Sequence, residues 1–310
     1  MIECKKIVFM GTPVFAREML RALIEAKKNV TLAVTRSDKP KGRGKQTLMC
    51  ETKAFAIENG IEVITPDTLK DEAVVERIRS EEPDLIVVAA YGKILPESVL
   101  NIAKYGCINV HASLLPRYRG AAPINRAIEN GETEGGVTIM RMEKGLDTGD
   151  MLHVKKMAIP DTMNAGEYHD ALCLLGGEAL VEYIGQLENG TATSTKQCDG
   201  DATYAQKIDK SELLIPFEKT NVECHNFVRA MAPRPAAYCM IDGVRTLITR
   251  TEVRDNSGTP GTILSATKAG IEVACGKGSL LITALRPEGK REMTVAEYIV
   301  GHKPSQLCGR

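Results

Sequence analysis

Asp84-Leu85-Ile86-Val87-Val88-Ala89-Ala90 carries one charge, at its first position, and is then apolar without interruption. A strand with one wet face alternates apolar and polar residues. An unbroken run this short, rich in β-branched side chains, marks a strand covered on both faces, as in a parallel sheet between helices. The flanking text agrees. Lys6-Ile7-Val8-Phe9-Met10 predicts a first strand. Gly11-Thr12-Pro13 follows as a turn, with Thr12 at the N-cap and Pro13 at the first helical position. Phe15, Met19, Leu20, Leu23 and Ile24 then recur at helical spacing. Further strands are predicted over 30–35, 61–64 and 107–111, and helices over 51–59 and 68–80. Residues 136–142 and 151–158 predict two more strands around a Gly-rich loop, and 164–187 a long helix. This βαβα rhythm predicts an α/β fold with helices over the sheet.

After residue 187 the texture changes. Glu188-Asn189-Gly190-Thr191-Ala192-Thr193-Ser194-Thr195-Lys196-Gln197 is polar and lacks periodicity, so 188–206 reads as a linker. One helix (220–231) and short strands near 237–241, 244–250, 260–266, 270–275 and 279–285 then predict a small β-rich domain of barrel type. The expected organisation is a domain over 1–187, a linker over 188–206 and a domain over 207–310.

Composition narrows the function. The 310 residues hold 40 Lys+Arg and 40 Asp+Glu, which excludes a uniformly basic nucleic-acid coat and an acidic solvating tail. Residues 206–310 hold 15 basic against 11 acidic groups, and 36–45 carry Arg36, Lys39, Lys41, Arg43 and Lys45 against Asp38. A polyanion can be met at these two places. No apolar run approaches the ~18 residues of a membrane span, so no membrane partner is expected. The N-terminal text has no signal-peptide pattern, and the nine cysteines are odd in number and scattered. A cytoplasmic location with reduced thiols is the expectation.

Several chemistries are excluded by motif. A dinucleotide site needs three spaced glycines, and Gly11-Thr12-Pro13-Val14-Phe15-Ala16 supplies only the first. Gly276-Lys277-Gly278 lacks the earlier glycine and the following hydroxyl of a phosphate-binding loop, and reads as a hairpin turn. No metal-ligand spacing and no Gly-x-Ser-x-Gly elbow occurs; Cys224 and His225 are adjacent on a helix and face apart. No metal and no nucleotide cofactor are therefore expected.

The residues that carry chemistry begin at the end of the fifth predicted strand, 107–111. Asn109 and His111 are two apart at a strand end, so both side chains point to one face. A histidine there can move a proton near neutral pH, and an amide beside it can donate to a developing oxyanion. On position alone, a satisfied core histidine is the commoner arrangement. A turn, Glu143-Lys144-Gly145-Leu146-Asp147-Thr148-Gly149-Asp150, can bring an acid close to the imidazole; spacing does not choose between Asp147 and Asp150.

The stretch Gly106-Cys107-Ile108-Asn109-Val110-His111-Ala112-Ser113-Leu114-Leu115-Pro116-Arg117-Tyr118-Arg119-Gly120-Ala121-Ala122-Pro123-Ile124 resembles the signature of the 10-formyltetrahydrofolate-dependent formyltransferases. The resemblance runs over the whole chain, through Arg43-Gly44-Lys45, 90–96, 144–149, 231–238 and 286–290. It implies a Rossmann-like catalytic domain and a C-terminal β-barrel of OB type that binds tRNA. It implies Asn109, His111 and Asp147 as the catalytic triad. It implies 10-formyltetrahydrofolate as donor, held by Ser113, Leu114, Leu115, Pro116, Tyr91, Gly92 and Ile94. The implied acceptor is the α-amino group of initiator Met-tRNA, with Arg43, Lys45 and Lys41 at the acceptor stem and Arg229, Arg234, Arg245, Arg250 and Lys290 as further phosphate contacts. A monomer in the bacterial cytoplasm is expected. Two positions depart from the family pattern: Leu48-Met49-Cys50 replaces a usual proline, and Arg234 stands where a tryptophan is expected. The triad is equally compatible with relatives that formylate amino-sugar nucleotides or hydrolyse the folate; the shorter glycinamide ribonucleotide type lacks the C-terminal domain. A non-catalytic RNA-binding protein is the alternative of another class.

Overall fold

The computed structural model describes residues 4–41 and 46–304. The apolar run forms strand Leu85–Ala89, buried at all five positions. It sits inside a seven-stranded sheet, in the order Met151–Ala158, Glu134–Arg141, Cys107–His111, Leu85–Ala89, Ile7–Gly11, Val30–Val34, Glu62–Ile64. The strands from Cys107–His111 to Glu62–Ile64 are parallel, and Cys107–His111 meets Glu134–Arg141 antiparallel. The chain runs from Ile7–Gly11 to Val30–Val34 on one side and later places Leu85–Ala89 on the other. That reversal makes a topological switch point at the carboxyl ends of Ile7–Gly11 and Leu85–Ala89, the place where open α/β sheets receive ligands. On one face Val8, Met10, Leu32, Val34, Ile86 and Val88 pack under Val75 and Ile78 of helix Glu72–Arg79. The α/β expectation is borne out because the inner strands Ile7–Gly11 and Leu85–Ala89 are buried on both faces and helices Val14–Glu25 and Glu72–Arg79 each offer one apolar stripe.

Details differ from the sequence reading. Helix Val14–Glu25 begins one residue late: Pro13 is extended and occupies the cap position, and the Thr12 hydroxyl donates instead to the Tyr91 carbonyl at 3.4 Å. Gly11 is required there, since a Cβ would lie 2.4 Å from Ala16 Cβ and 2.8 Å from the Ala89 carbonyl. The basic stretch that follows Val30–Val34 includes regular structure. Strands Lys39–Lys41 and Gln46–Leu48 pair antiparallel, with Lys39 opposite Leu48. A two-stranded ladder is a main-chain contact and leaves no apolar period to read.

The chain divides into two compact units. One comprises the chain up to Gly120 with Gly136–Met157 and His169–Tyr204; the other comprises Ala121–Gly135, Ala158–Tyr168 and the chain from Ala205 on. Between 188 and 206 regular structure is sparse, but Thr195 pairs with Met151, each amide donating to the other's carbonyl at 2.8 Å. The second unit holds an antiparallel sheet in the order Ala237–Ile241, Val244–Arg254, Ser279–Pro287, Gly270–Ala274, Ile263–Thr267, with Met293–Thr294 also on Ser279–Pro287. Helix Asn221–Met231 opens with a capping box: the Thr220 hydroxyl accepts from the Glu223 amide at 3.2 Å and the Glu223 carboxylate accepts from the Thr220 amide at 3.0 Å.

Candidate active site

Cys107–His111 is five residues long and its Asn109 and His111 share one face. In register, Asn109 lies between Val88 and Met140, and His111 lies opposite Thr138. The main chain then folds back through 112–118, and three hydroxyls fix that path. Ser113 Oγ donates to the Arg117 carbonyl at 2.7 Å. The fully buried Thr138 Oγ1 donates to the Ser113 carbonyl at 2.7 Å and accepts from the Leu115 amide at 3.1 Å. Thr203 Oγ1 accepts from the Tyr118 amide at 2.8 Å, and the Thr203 carbonyl accepts from the Arg119 amide at 2.8 Å. Tyr118 is thereby held at φ 63°.

This places the Tyr118 carbonyl 2.9 Å from His111 Nε2. A carbonyl can only accept, so Nε2 carries a hydrogen and Nδ1 holds the lone pair of the neutral ring. Nδ1 faces Asp147 Oδ2 at 3.7 Å. The tautomer is thus fixed by a main-chain oxygen and not by the carboxylate, whose place suits it to stabilise the imidazolium once Nδ1 takes a proton. The Asn109 amide has no hydrogen-bond partner among the described residues and is half-buried, so its donors face open space.

Asp147 has φ 52°. Its Oδ2 accepts from the Gly120 amide at 2.8 Å, and its carbonyl accepts from Gln197 Nε2 at 2.8 Å. Gly149 lets the turn close onto the neighbouring strand, since a Cβ there would lie 2.0 Å from the Arg141 carbonyl. Asp150 is engaged elsewhere, accepting from Ser194 Oγ at 2.6 Å. Of the two acids, Asp147 is the one beside the imidazole.

The seven residues assigned above to the donor pocket fall into two groups. Gly92 and Ile94 are exposed and Leu114 and Pro116 half-buried, so they can present surface. Ser113, Leu115 and Tyr91 are buried and shape the loops from beneath. The loop of Tyr91, Gly92 and Ile94 follows Leu85–Ala89, the parallel neighbour of the His111 strand, so both loops leave the sheet at one end. The Tyr91 hydroxyl is buried without a partner among the described residues, and burial pushes it up to about 12. Arg36 lies over Gly92, its Nη1 3.2 Å from where a Cβ would stand. An apolar rim, bare backbone at Gly92 and one orphaned hydroxyl fit a flat, hydrogen-bonding ring. Sequence reasoning misses Thr138, Arg119 and Gln197, because nothing local in a sequence marks a polar side chain as buried, and it misses the exposed Thr203, because nothing local marks a contact 85 residues away. A cavity of about 700 Å³ opens at the far end of the His111 strand, among Lys104, Tyr105, Arg141 and Tyr183.

The basic residues are less evenly placed. Arg43 and Lys45 lie outside the described residues, and Lys41 is described by its main chain alone. Arg229 is a correction. It is buried, and its guanidinium turns inward to donate to the carbonyls of Pro160 (3.2 Å) and Met163 (3.1 Å) and to Asn226 Oδ1 (2.9 Å), so it is not a surface cation. Arg234, Arg245, Arg250 and Lys290 are exposed, with Arg245 over the Tyr238 ring at 4.1 Å.

Fold and site together are those of an α/β protein that gathers an imidazole, a carboxylate and an amide at the carboxyl end of its sheet. The model of the formyl transferase family matches residues 5–184, and that of the formyl transferase C-terminal domain matches residues 207–303; the chain belongs to the formyl transferase family. The methionyl-tRNA formyltransferase of Acetivibrio thermocellus is 48% identical over 301 residues, covering 96% of this chain and 97% of that protein. Among solved structures, HypX from Aquifex aeolicus in complex with tetrahydrofolic acid superposes with a TM-score of 0.65 at 18% identity, over 96% of this chain and 47% of HypX, so the chain spans about half of that protein. The N-formyltransferase from Helicobacter canadensis, in complex with folinic acid and dTDP-3-aminofucose, gives a TM-score of 0.63 at 19% identity, over 91% of this chain and 98% of that one. At these identities the two structures share the fold.

Proposed function

We propose that this chain transfers the formyl group of 10-formyltetrahydrofolate to the α-amino group of initiator Met-tRNA, giving N-formylmethionyl-tRNA. One observation carries the chemistry: His111 Nδ1 faces Asp147 while Nε2 is held by the Tyr118 carbonyl, on the same strand face as the unpartnered Asn109 amide. The near full-length relative named methionyl-tRNA formyltransferase supports the acceptor.

The folate supplies an activated formyl carbon. Gly92, Ile94, Leu114 and Pro116 would form its walls, with Ser113, Leu115 and Tyr91 holding their loops. Asn109 would donate to the formyl oxygen as attack makes it an oxyanion; one such donor is worth ~3–4 kcal/mol in the barrier. His111 would take the amine proton on Nδ1 and return it to the departing folate nitrogen. Asp147 would steady the imidazolium across 3.7 Å. Arg43, Lys45 and Lys41 would meet the acceptor stem, with the exposed cations of the C-terminal domain as further phosphate contacts. We assign catalysis to 1–187 and tRNA binding to 207–310, joined by 188–206, in a monomeric protein of the bacterial cytoplasm. No helix among the described residues is long and apolar enough to cross a membrane.

The test is formylation of charged initiator tRNA by the purified chain, read on an acid gel beside His111→Ala. Product from the unaltered chain alone is expected. Product from both would remove the histidine from the mechanism. No product, with folate bound, would move the acceptor to an amino sugar or water.

A further inference from the structure

We propose that the buried pair Arg119–Gln197 is a positioning device that holds Asp147 against His111 during the reaction; this rests on the function proposed above. The Arg119 side chain is 2% exposed. A guanidinium is among the costliest groups to bury, so its place needs a reason. Its Nε and Nη2 donate to Gln197 Oε1 at 3.0 and 2.9 Å. Its one carboxylate contact among the described residues, Asp199 Oδ1 at 2.9 Å from Nη2, belongs to a side chain that is 86% exposed and gives little compensation. The interaction that orients the cation is therefore the amide.

Gln197 is itself buried, and the other end of its amide points at the candidate site. Nε2 donates to the carbonyl of Asp147 at 2.8 Å and to that of Gly149 at 2.6 Å. Arg119 fixes which way the amide faces, since it can meet only the oxygen. The two amide hydrogens then clamp the turn on either side of Thr148. Asp147 sits in the left-handed region at φ 52°, which a side chain disfavours and its surroundings must impose. The residue after Arg119 completes the hold, for the Gly120 amide donates to Asp147 Oδ2 at 2.8 Å. Asp147 is thus gripped at its carbonyl through Arg119 and Gln197, and at its carboxylate by Gly120. The polar contacts of His111 are to Tyr118 and Asp147, and those of Arg119 and Gln197 lead to the 147–149 turn, so both act through Asp147.

Two substitutions separate positioning from mere stability. Gln197→Glu keeps an acceptor for Arg119 and removes the hydrogens that hold the turn. Gln197→Met keeps the volume and removes both ends. The full chain, these variants and Lys196→Ala, an exposed neighbour, would be assayed for formylation of Met-tRNA, with kcat, both KM values and Tm. The expected result is a kcat lower by about ten- to a hundredfold in both Gln197 variants, as for a catalytic group displaced by about an ångström. Both KM values should stay within about twofold, since the clamp does not meet substrate. Lys196→Ala should match the unaltered chain. An unchanged kcat in folded Gln197→Glu would overturn the proposal. So would losses confined to Tm, or two variants that fail to fold, since the pair would then serve stability alone. Absence of product from the unaltered chain would instead overturn Met-tRNA as the acceptor, the reading on which the proposal stands.

Discussion

Asn109 offers an amide that no described neighbour uses, on a strand whose other polar side chains are committed. An unsatisfied, half-buried amide contributes little to folding, so its removal should be felt in the reaction. Asn109→Ala is expected to lower kcat by ~10²–10³ while Tm stays within a few degrees, because one oxyanion donor is lost and no core contact goes with it. Steady-state kinetics and thermal melts check this; a kcat near that of the unaltered chain would remove Asn109 from the mechanism. The neighbouring residues carry a different lesson. Two-residue spacing places Asn109 and His111 together and can be read from text. The partner of Nε2, the Tyr118 carbonyl 2.9 Å away, has no signature in the sequence, because any residue type supplies a carbonyl. Which ring nitrogen holds the proton is therefore settled by the path of the loop.

Helix Asn221–Met231 shows what one element does with titratable groups. His225 Nδ1 lies 2.9 Å from Thr251 Oγ1 and Nε2 lies 3.1 Å from the Asp161 carbonyl. Burial lowers its affinity for a proton and nearby Arg229 adds to that, against the Asp161 carbonyl bond and the charges of Asp161 and Glu252. The folded state therefore favours the neutral ring. The unfolded chain binds the proton more readily as pH falls through the ordinary histidine range near ~6.5, so stability rises with pH across that window and is lost below it. Tm should fall between pH ~7.5 and ~5.5, and His225→Gln should flatten part of that fall. An unaltered slope in the variant would place the effect elsewhere. The helix was legible, since Thr220 and Glu223 announce its capping box and its apolar residues keep a period. Burial of Arg229 was not, because charge alone does not tell a surface cation from one wrapped in carbonyls.

At the scale of the molecule, charge is balanced overall and uneven locally: residues 206–310 hold 15 basic against 11 acidic groups. Binding of a phosphate-rich partner should weaken steeply with salt. Arg43→Ala is expected to raise the KM for Met-tRNA, leave the KM for the folate unchanged, and reduce the log–log salt slope of tRNA binding by about one, the share of a single phosphate contact. Salt titrations of both proteins test this, and identical slopes with identical KM would assign the tRNA grip to other residues.

Local properties of the text suffice for the elements and for the class of chemistry. Period and composition decide whether a segment such as 84–90 can sit between two layers, and these are local properties. The 106–124 stretch brought Asn109, His111 and the loop after them as one contiguous text. Tertiary structure alone decided how that chemistry is held. Asp147 is chosen over Asp150 by the Gly120 amide, 27 residues away in the chain. The clamp on its turn comes from Gln197, steered by Arg119 across 78 residues, and Thr203 holds Tyr118 across 85. A hydrogen bond depends on distance and angle to within a few tenths of an ångström, and groups so far apart in the chain acquire that geometry only when the whole unit has folded.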